Sequence, residues 1–459
     1  MKKKLLMACF LFGTTLVASA GNPIIKVTGG MIQGVNSAAK DVIIYKGIPY
    51  AAPPVGNLRW QAPQPVIPWK GVKAANTFGA AAMQTPHKDG HPTEVKKFGD
   101  VDYIKEFYDE GDPKYSEDCL YLNVWQPVGA KRGDKLPVAF WIHGGAFMGG
   151  YGYEKEFDGN AYAKRGVILV SINYRLGVLG FLAHPVLSSE SPKHISGNYG
   201  LLDQIMALEW VHNNIAQFGG DPNNVTIFGQ SAGAMSVRNL VCSPLTHGMI
   251  ARAIIQSGGG IGQSSIRTSS MENYEQLGQK IFLGKSLQEM RSMSYEELQG
   301  CLMKYCMENK TFLMLSPVID HYALKEDFIE AVKDASVLRI PYIIGGTRDD
   351  MPFAKIGEGI TDFSLSLIRN GYKPAYVYEF YHRLPGDGAG AFHSSELWYM
   401  FGTLNRCWRP MTQSDYTLSD EMLDYWTNFM KTGNPNGKGL PLWKPCTQGL
   451  SDVIKLDTK

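Results

Sequence analysis

Cysteine is scarce, with seven among 459 residues, and none falls in a Cys-x-x-Cys pair or a cysteine–histidine cluster. That excludes the ligand spacings of a structural zinc site, so no metal is expected, and no motif asks for a cofactor. Neither charge sign dominates: 45 Lys and Arg stand against 43 Asp and Glu, a net charge of +2. A near-neutral chain of this kind is not expected to bind nucleic acid or another polyanion. Internal repeats, low-complexity runs and Pro/Ser-rich linkers are also missing, so residues 21–459 read as a single domain despite their length. No second long apolar run follows the N-terminal one, and no stable membrane anchor is expected.

The N-terminus itself is informative. Lys2, Lys3 and Lys4 precede an apolar run from Leu5 to about Val17, and Ala18-Ser19-Ala20 offers a small-x-small cleavage site. Residues 1–20 therefore read as a secretory signal peptide, which places the mature protein in the periplasm or outside the cell. Lipidation at Cys9 is the weaker alternative, because almost no apolar core would precede it. Export would permit disulfides among the remaining cysteines at 119, 242, 301, 306, 407 and 446, yet buried free thiols are the plainer expectation.

Against this background one segment stands out. Val225-Thr-Ile-Phe228, a β-branched and aromatic run, leads into Gly229-Gln230-Ser231-Ala232-Gly233. A helical pattern follows, with Ala234, Met235, Val237 and Leu240 on one face. Strand, Gly-x-Ser-x-Gly turn and helix together form the context that presents a serine as a nucleophile. Such a serine needs a base, a group that orients the base, and donors for a developing oxyanion. Upstream, the apolar run Pro137–Ile142 ends in His143-Gly-Gly-Ala-Phe147. The N–H groups of Gly145 and Ala146, with that of Ala232 after the serine, are the candidate oxyanion donors. His143 is expected to shape this loop.

Several longer segments carry a resemblance. They are Gly47–Trp60, Glu117–Trp125 with its Glu-Asp-Cys-Leu start, Asn173-Tyr-Arg-Leu-Gly177, Gly197–Gln204, and Tyr425–Asn436. With the serine segment and the HGGAF loop, they resemble the type-B carboxylesterases, the family that includes the cholinesterases. The resemblance spans nearly the whole chain after residue 20. It implies an α/β-hydrolase fold: a central, mostly parallel sheet flanked by helices, with a small N-terminal antiparallel sheet. That sheet is expected from 24–35, 42–50 and 120–126. The central strands are expected at Phe140, 167–173, 225–228, 253–256, 342–344 and 376–381.

The resemblance also implies a triad. His393, in Phe392-His-Ser-Ser-Glu396, matches the family's base, with His382 as its rival. The acid is a glutamate in relatives and aligns with Asp350 here, with Asp349 as the alternative. Arg59 and Glu117 match a structural ion pair. Cys119 matches a bridged cysteine whose partner position holds Ala82, so that bridge is expected to be absent. Only 43 residues separate Asp350 from His393, and the stretch from Ser257 to Pro317 is also compact. A shortened helical cap and an open pocket follow as expectations. The Thr93–Tyr115 region holds no tryptophan to stack a quaternary ammonium, which argues against a cholinesterase. Phe147, Tyr151, Tyr153 and Trp398 are pocket candidates, as is Gln230, which replaces the family's glutamate.

These residues point to a serine carboxylic-ester hydrolase acting on a small-molecule ester, small or aryl, through an acyl-enzyme. Two alternatives use the same parts. A catalytically silent binding protein of this fold would turn over no ester, and an acyltransferase would pass the acyl group to an added alcohol.

Overall fold

The apolar runs become strands of one ten-stranded sheet in the computed structural model, which describes residues 23–87, 97–98, 101–263 and 265–459. The segment read as a signal peptide lies outside the described residues. In chain order the strands are β1 (Val35–Asn36), β2 (Val42–Pro49), β3 (Tyr121–Pro127), β4 (Leu136–Ile142) and β5 (Ile168–Ile172). They continue with β6 (Gly220–Gln230), β7 (Arg252–Gln256), β8 (Tyr342–Thr347), β9 (Tyr376–Phe380) and β10 (Ile454–Leu456). Across the sheet they run β10-β9-β8-β7-β6-β4-β5-β3-β2-β1. Pairing is parallel from β10 through to β5, and antiparallel from β5 to β1.

The expected N-terminal sheet is corrected in two respects. Residues 42–49 and 121–127 join the large sheet, because β3 pairs with both β2 and β5. The small sheet is instead Ile24–Val27, Gly30–Gln33 and Val72–Ala74, with one antiparallel and one parallel pairing. Its third strand is short and exposed, so it carries no apolar signal to read.

Strand alternation sorts the core into two layers. From β4, Val138, Phe140 and Ile142 enter one apolar cluster, while Ala139 and Trp141 enter the other. Helix α1 (Tyr199–Asn214) and helix α2 (Ala232–Cys242) cover the first face, through Leu201, Ile205, Leu208, Val237 and Leu240. Helix α3 (Gln413–Thr432) covers the second with Leu418, Met422, Trp426 and Phe429. Strands buried on both faces read as near-continuous apolar runs, which is why the parallel half is legible in sequence. Between Ser257 and Pro317 the cap consists of helices 271–281, 287–292 and 295–308.

Two ion pairs brace segments distant in sequence. Arg59 Nε donates to Glu117 at 2.8 Å, and Nη2 bonds the second carboxylate oxygen. Arg59 Nη1 also donates to the carbonyl of Met293 at 2.7 Å, clamping the cap to this pair. A deeper pair joins Arg175, of the Asn-Tyr-Arg segment, to Asp203 on α1 through bonds of 2.7 and 2.8 Å. Both of its side chains are essentially excluded from solvent, at 3% and 0% exposure. The six described cysteines are free thiols. Cys119 and Ala82 border the same small void, so the position of the family bridge exists without its second sulfur.

Removing one member of a buried pair leaves an uncompensated charge. Asp203→Ala is expected to lower unfolding stability by about 3–5 kcal/mol, read as a reduced denaturant midpoint in a urea titration. A change below about 1 kcal/mol would mean that Arg175 finds water or another partner.

Candidate active site

Loops from five neighbouring strands meet at the carboxyl edge of the sheet, where groups of an α/β fold converge. The strand ends are nearly level: Ile142 pairs with Gly229, Gln230 with Gln256, and Gln256 with Gly345. Strand β6 then breaks sharply at Ser231, whose φ of 58° and ψ of −125° begin α2. A non-glycine residue held there costs on the order of 1–3 kcal/mol, and the surroundings enforce it. Ser231 N donates to the Gln256 carbonyl at 2.9 Å, and Met235 N returns to the Ser231 carbonyl at 2.9 Å. Glycine at 233 is demanded by packing, since a Cβ there would lie 2.0 Å from the Ile142 carbonyl oxygen.

The oxyanion loop leaves β4 through His143. Its ring is buried, stacks on Tyr174 with centroids 4.5 Å apart, and bonds the Gly144 carbonyl through Nδ1 at 2.8 Å. Burial pushes its pKa down to about 4, so the ring is neutral and shapes the loop. Gly145 has φ +99° and Ala146 has φ +56°. Among the described residues, the N–H groups of Gly145, Ala146 and Ala232 donate to no acceptor. Gln84, which no sequence motif marked, braces this loop. Its carboxamide accepts from Gly150 N at 2.8 Å and donates to the Gly150 carbonyl at 3.0 Å.

Strand β8 delivers Asp350 and the loop after β9 delivers His393. His393 Nδ1 lies 2.5 Å from Asp350 Oδ1, with both residues buried. The other carboxylate oxygen, Oδ2, accepts from Ser257 Oγ at 2.6 Å and from Thr347 N at 3.0 Å. Asp349 plays a different part: its backbone and side chain bond the two polar backbone atoms of Ala391, pinning the loop that carries His393. Tyr103 Oη holds the His393 carbonyl at 2.7 Å. The rival His382 is fixed between Asp415 and Asp457 at 2.8 and 3.0 Å. Ser257 and Tyr103 carry no motif, so only the fold identifies them as supports.

Burial sets the electrostatics. Desolvation alone would raise the Asp350 carboxyl, but the charge of His393 and the bonds from His393, Ser257 and Thr347 hold it below its usual range. Burial would lower His393, yet the Asp350 charge and hydrogen bond raise its pKa above the ordinary imidazole value. Glu396 is wholly buried, and burial together with the Asp350 charge pushes it up to about 8, so at neutral pH it keeps its proton.

Gln230 is buried, and its Nε2 lies 3.2 Å from His393 Nε2, the ring nitrogen not bonded to Asp350. No hydrogen bond joins Ser231 Oγ to His393 among the described residues, a looseness common before substrate binds. Phe147 is buried against Phe181 and borders a cleft beside Met235. Trp398 is a correction: it is fully buried, stacks on Phe107 and donates to Glu106 at 2.9 Å, so it belongs to the core instead of a pocket wall. Tyr153 stacks on Phe78 and packs with Tyr151. Gly145 and Ala146 are exposed and Ser231 is half-buried, so among the described residues these groups are reached by solvent.

Comparison with known proteins decides the family. The model described as "Carboxylesterase family" matches residues 21–358 and 356–459. The chain belongs to the carboxylesterase family. The chain is 38% identical over 362 residues to a fumonisin B1 esterase of Sphingopyxis macrogoltabida, covering 77% of this chain and 61% of that protein. It is 32% identical to the para-nitrobenzyl esterase of Bacillus subtilis (strain 168), over 95% of this chain and 94% of that one. A solved thermophilic PNB esterase superposes with a TM-score of 0.77 at 29% identity, over 95% of this chain and 96% of that one. This carboxylesterase is thus a carboxylic-ester hydrolase of the α/β-hydrolase fold, and a silent binding role is not favoured.

Two substitutions test the base. A protonated His393 cannot accept the serine proton, so activity rises as pH climbs through its pKa, and the raised value sets the acid limb. Gln230→Glu places a carboxylate near Nε2, favours the imidazolium, and should move the acid limb of kcat/KM upward by about one pH unit. Asp350→Asn should move it downward and lower kcat on the order of 10⁴-fold. An unmoved limb in both variants would mean that another group is the base.

Proposed function

We propose that Ser231 Oγ attacks the carbonyl carbon of a small or aryl ester while His393 Nε2 takes the hydroxyl proton. The Asp350 carboxylate holds the imidazole with its Nδ1 proton inward and stabilises the imidazolium. The carbonyl oxygen gains negative charge and is received by the N–H groups of Gly145, Ala146 and Ala232, which break no hydrogen bond among the described residues in donating to it. Collapse of the tetrahedral adduct breaks the carbon–oxygen bond, and His393 returns the proton to the departing alcohol. Water then repeats the sequence on the acyl-serine, releasing the acid and restoring Ser231. Gln230 must release His393 Nε2 for the first proton transfer, and the substrate's arrival supplies the displacement.

The observation that carries this reading is the pairing of a buried Asp350–His393 bond with three N–H donors that, among the described residues, have no acceptor. Loss of one such donor typically raises the barrier by about 3–4 kcal/mol. The solvent access of Ser231, Gly145 and Ala146 favours small and aryl esters over a long chain threaded through a tunnel. We further propose export, on the strength of the lysine, apolar and Ala-x-Ala pattern of residues 1–20.

A p-nitrophenyl ester series from acetate to decanoate, with a ferulate ester added, should give turnover in the wild type. Ser231→Ala should reduce kcat by a factor on the order of 10⁴–10⁶. Turnover that survives in the variant would place the chemistry elsewhere. Protein recovered from the periplasm of an expressing bacterium should begin at Gly21 by N-terminal sequencing, whereas a retained Met1 would remove the export proposal.

A further inference from the structure

Arg238 lies on α2 about two turns beyond the nucleophile and is only 3% exposed. Its guanidinium donates to the carbonyls of Gly258 at 2.6 Å and Ile266 at 3.3 Å, and lies 4.6 Å from the centre of the Phe328 ring. Among the described residues no carboxylate comes within 4.0 Å of it. Asp327, the nearest acidic influence, is already engaged: it accepts from Thr268 N at 2.7 Å and Ile329 N at 2.9 Å, and pairs with Arg267 at 3.8 Å. Burial therefore pulls the Arg238 pKa down to about 10, with Asp327 only partly opposing it. The side chain is still a cation at neutral pH, and a buried cation without an anion is costly to keep.

The position of this charge gives it a use. Arg238 borders a cleft of about 30 Å³ together with Phe147, Met235, Arg267 and Met314. Phe147 directly follows the oxyanion donors, and the N–H of Met235 is bonded to the Ser231 carbonyl. Phe147 and Met235 thus give the cleft an apolar side, and Arg238 and Arg267 give it a cationic one. Arg267 is neutralised by Glu330 at 2.7 Å and is mostly exposed, which leaves Arg238 as the unmatched charge. A helix rise of 1.5 Å per residue separates the Ser231 and Arg238 backbones by roughly 10 Å, room for several methylene groups.

We propose, resting on the ester-hydrolase reading above, that this cleft binds the carboxylate of an ester that carries a free acid group several bonds from its scissile carbonyl. Met235 and Phe147 hold the intervening apolar chain, and Arg238 receives the carboxylate through its remaining N–H groups. Charge-assisted pairing of this kind is stronger than a bond between neutral groups and favours a planar carboxylate. The free acid could sit on the acyl side or on the alcohol side of the ester, and the substrates below separate the two.

The test is a set of matched esters. Mono-p-nitrophenyl esters of succinic, glutaric, adipic and suberic acids are compared with their methyl-capped counterparts for the acyl side. Acetyl esters of ω-hydroxy acids are compared with their methyl esters for the alcohol side. In the wild type, at least one charged member should exceed its neutral partner about tenfold in kcat/KM, mainly through KM, and the advantage should shrink in high salt. Arg238→Met should bring that ratio near one, and Arg238→Lys should keep part of it. If Arg238→Met fails to fold by circular dichroism, free glutarate supplies the second readout. It should inhibit the wild type competitively and Arg238→Lys more weakly. Equal kcat/KM for charged and capped esters on both sides would overturn the proposal, as would a ratio unchanged in both variants. Turnover of p-nitrophenyl butyrate that is abolished in Ser231→Ala would show that the ester-hydrolase reading stands even if this one falls.

Discussion

Gly233 passes so close to the carbonyl of Ile142 that no side chain fits between them, and this contact fixes how β4 and β6 end together. From it follow the break of β6 at Ser231, the left-handed serine, and the start of α2 directly behind it. The same register aligns the end of β4, so the loop carrying Gly145 and Ala146 departs beside the Ser231 turn. Strands β7 and β8 continue the line, so Ser257 and Asp350 arrive at the same edge and bond to each other. A serine in strained backbone, a loop of free N–H groups and a buried acid are thus consequences of one sheet edge. The two apolar layers hold that edge rigid, which is what a preorganised site requires.

Electrostatics at this edge depends on keeping one charge and suppressing another. Asp350 and Glu396 are both buried near His393. Asp350 is satisfied by Ser257, Thr347, Met351 and His393, which favours its ionised form. The burial of Glu396 outweighs its hydrogen bonding, and with Asp350 already charged it retains its proton. The imidazole therefore responds first to Asp350, with Glu396 adding a smaller upward pull. Gln230, where the family motif carries a glutamate, adds a neutral amide on the other side of the ring. Less negative charge around His393 means a weaker pull on its proton, which suits a base that must give the proton back to an alcohol.

Much of this is legible in the residues because packing and chemistry demand particular ones. Buried parallel strands need uninterrupted apolar runs, and the elbow needs Gly229 and Gly233, so β4, β6 and Ser231 can be read directly. His393 and Asp350 come from the resemblance, and the fold brings them together while sending His382 to a separate pair of aspartates. Trp398 misleads because a tryptophan near a site reads the same whether it faces a ligand or the core, and here Phe107 and Glu106 take it inward. The small sheet escapes a sequence reading because its third strand, 72–74, is exposed and has no apolar period. Gln84, Ser257 and the Arg175–Asp203 pair act through contacts distant in sequence, which no local pattern encodes.

The central claim is that Ser231, activated by His393, is the nucleophile of this carboxylesterase. Its most direct test is stoichiometric labelling with a fluorophosphonate, followed by intact mass and peptide mapping. The account predicts one adduct per chain, on Ser231, formed more slowly as pH falls and nearly abolished in His393→Ala. A folded wild type that takes no label, or takes it on another residue, would contradict it.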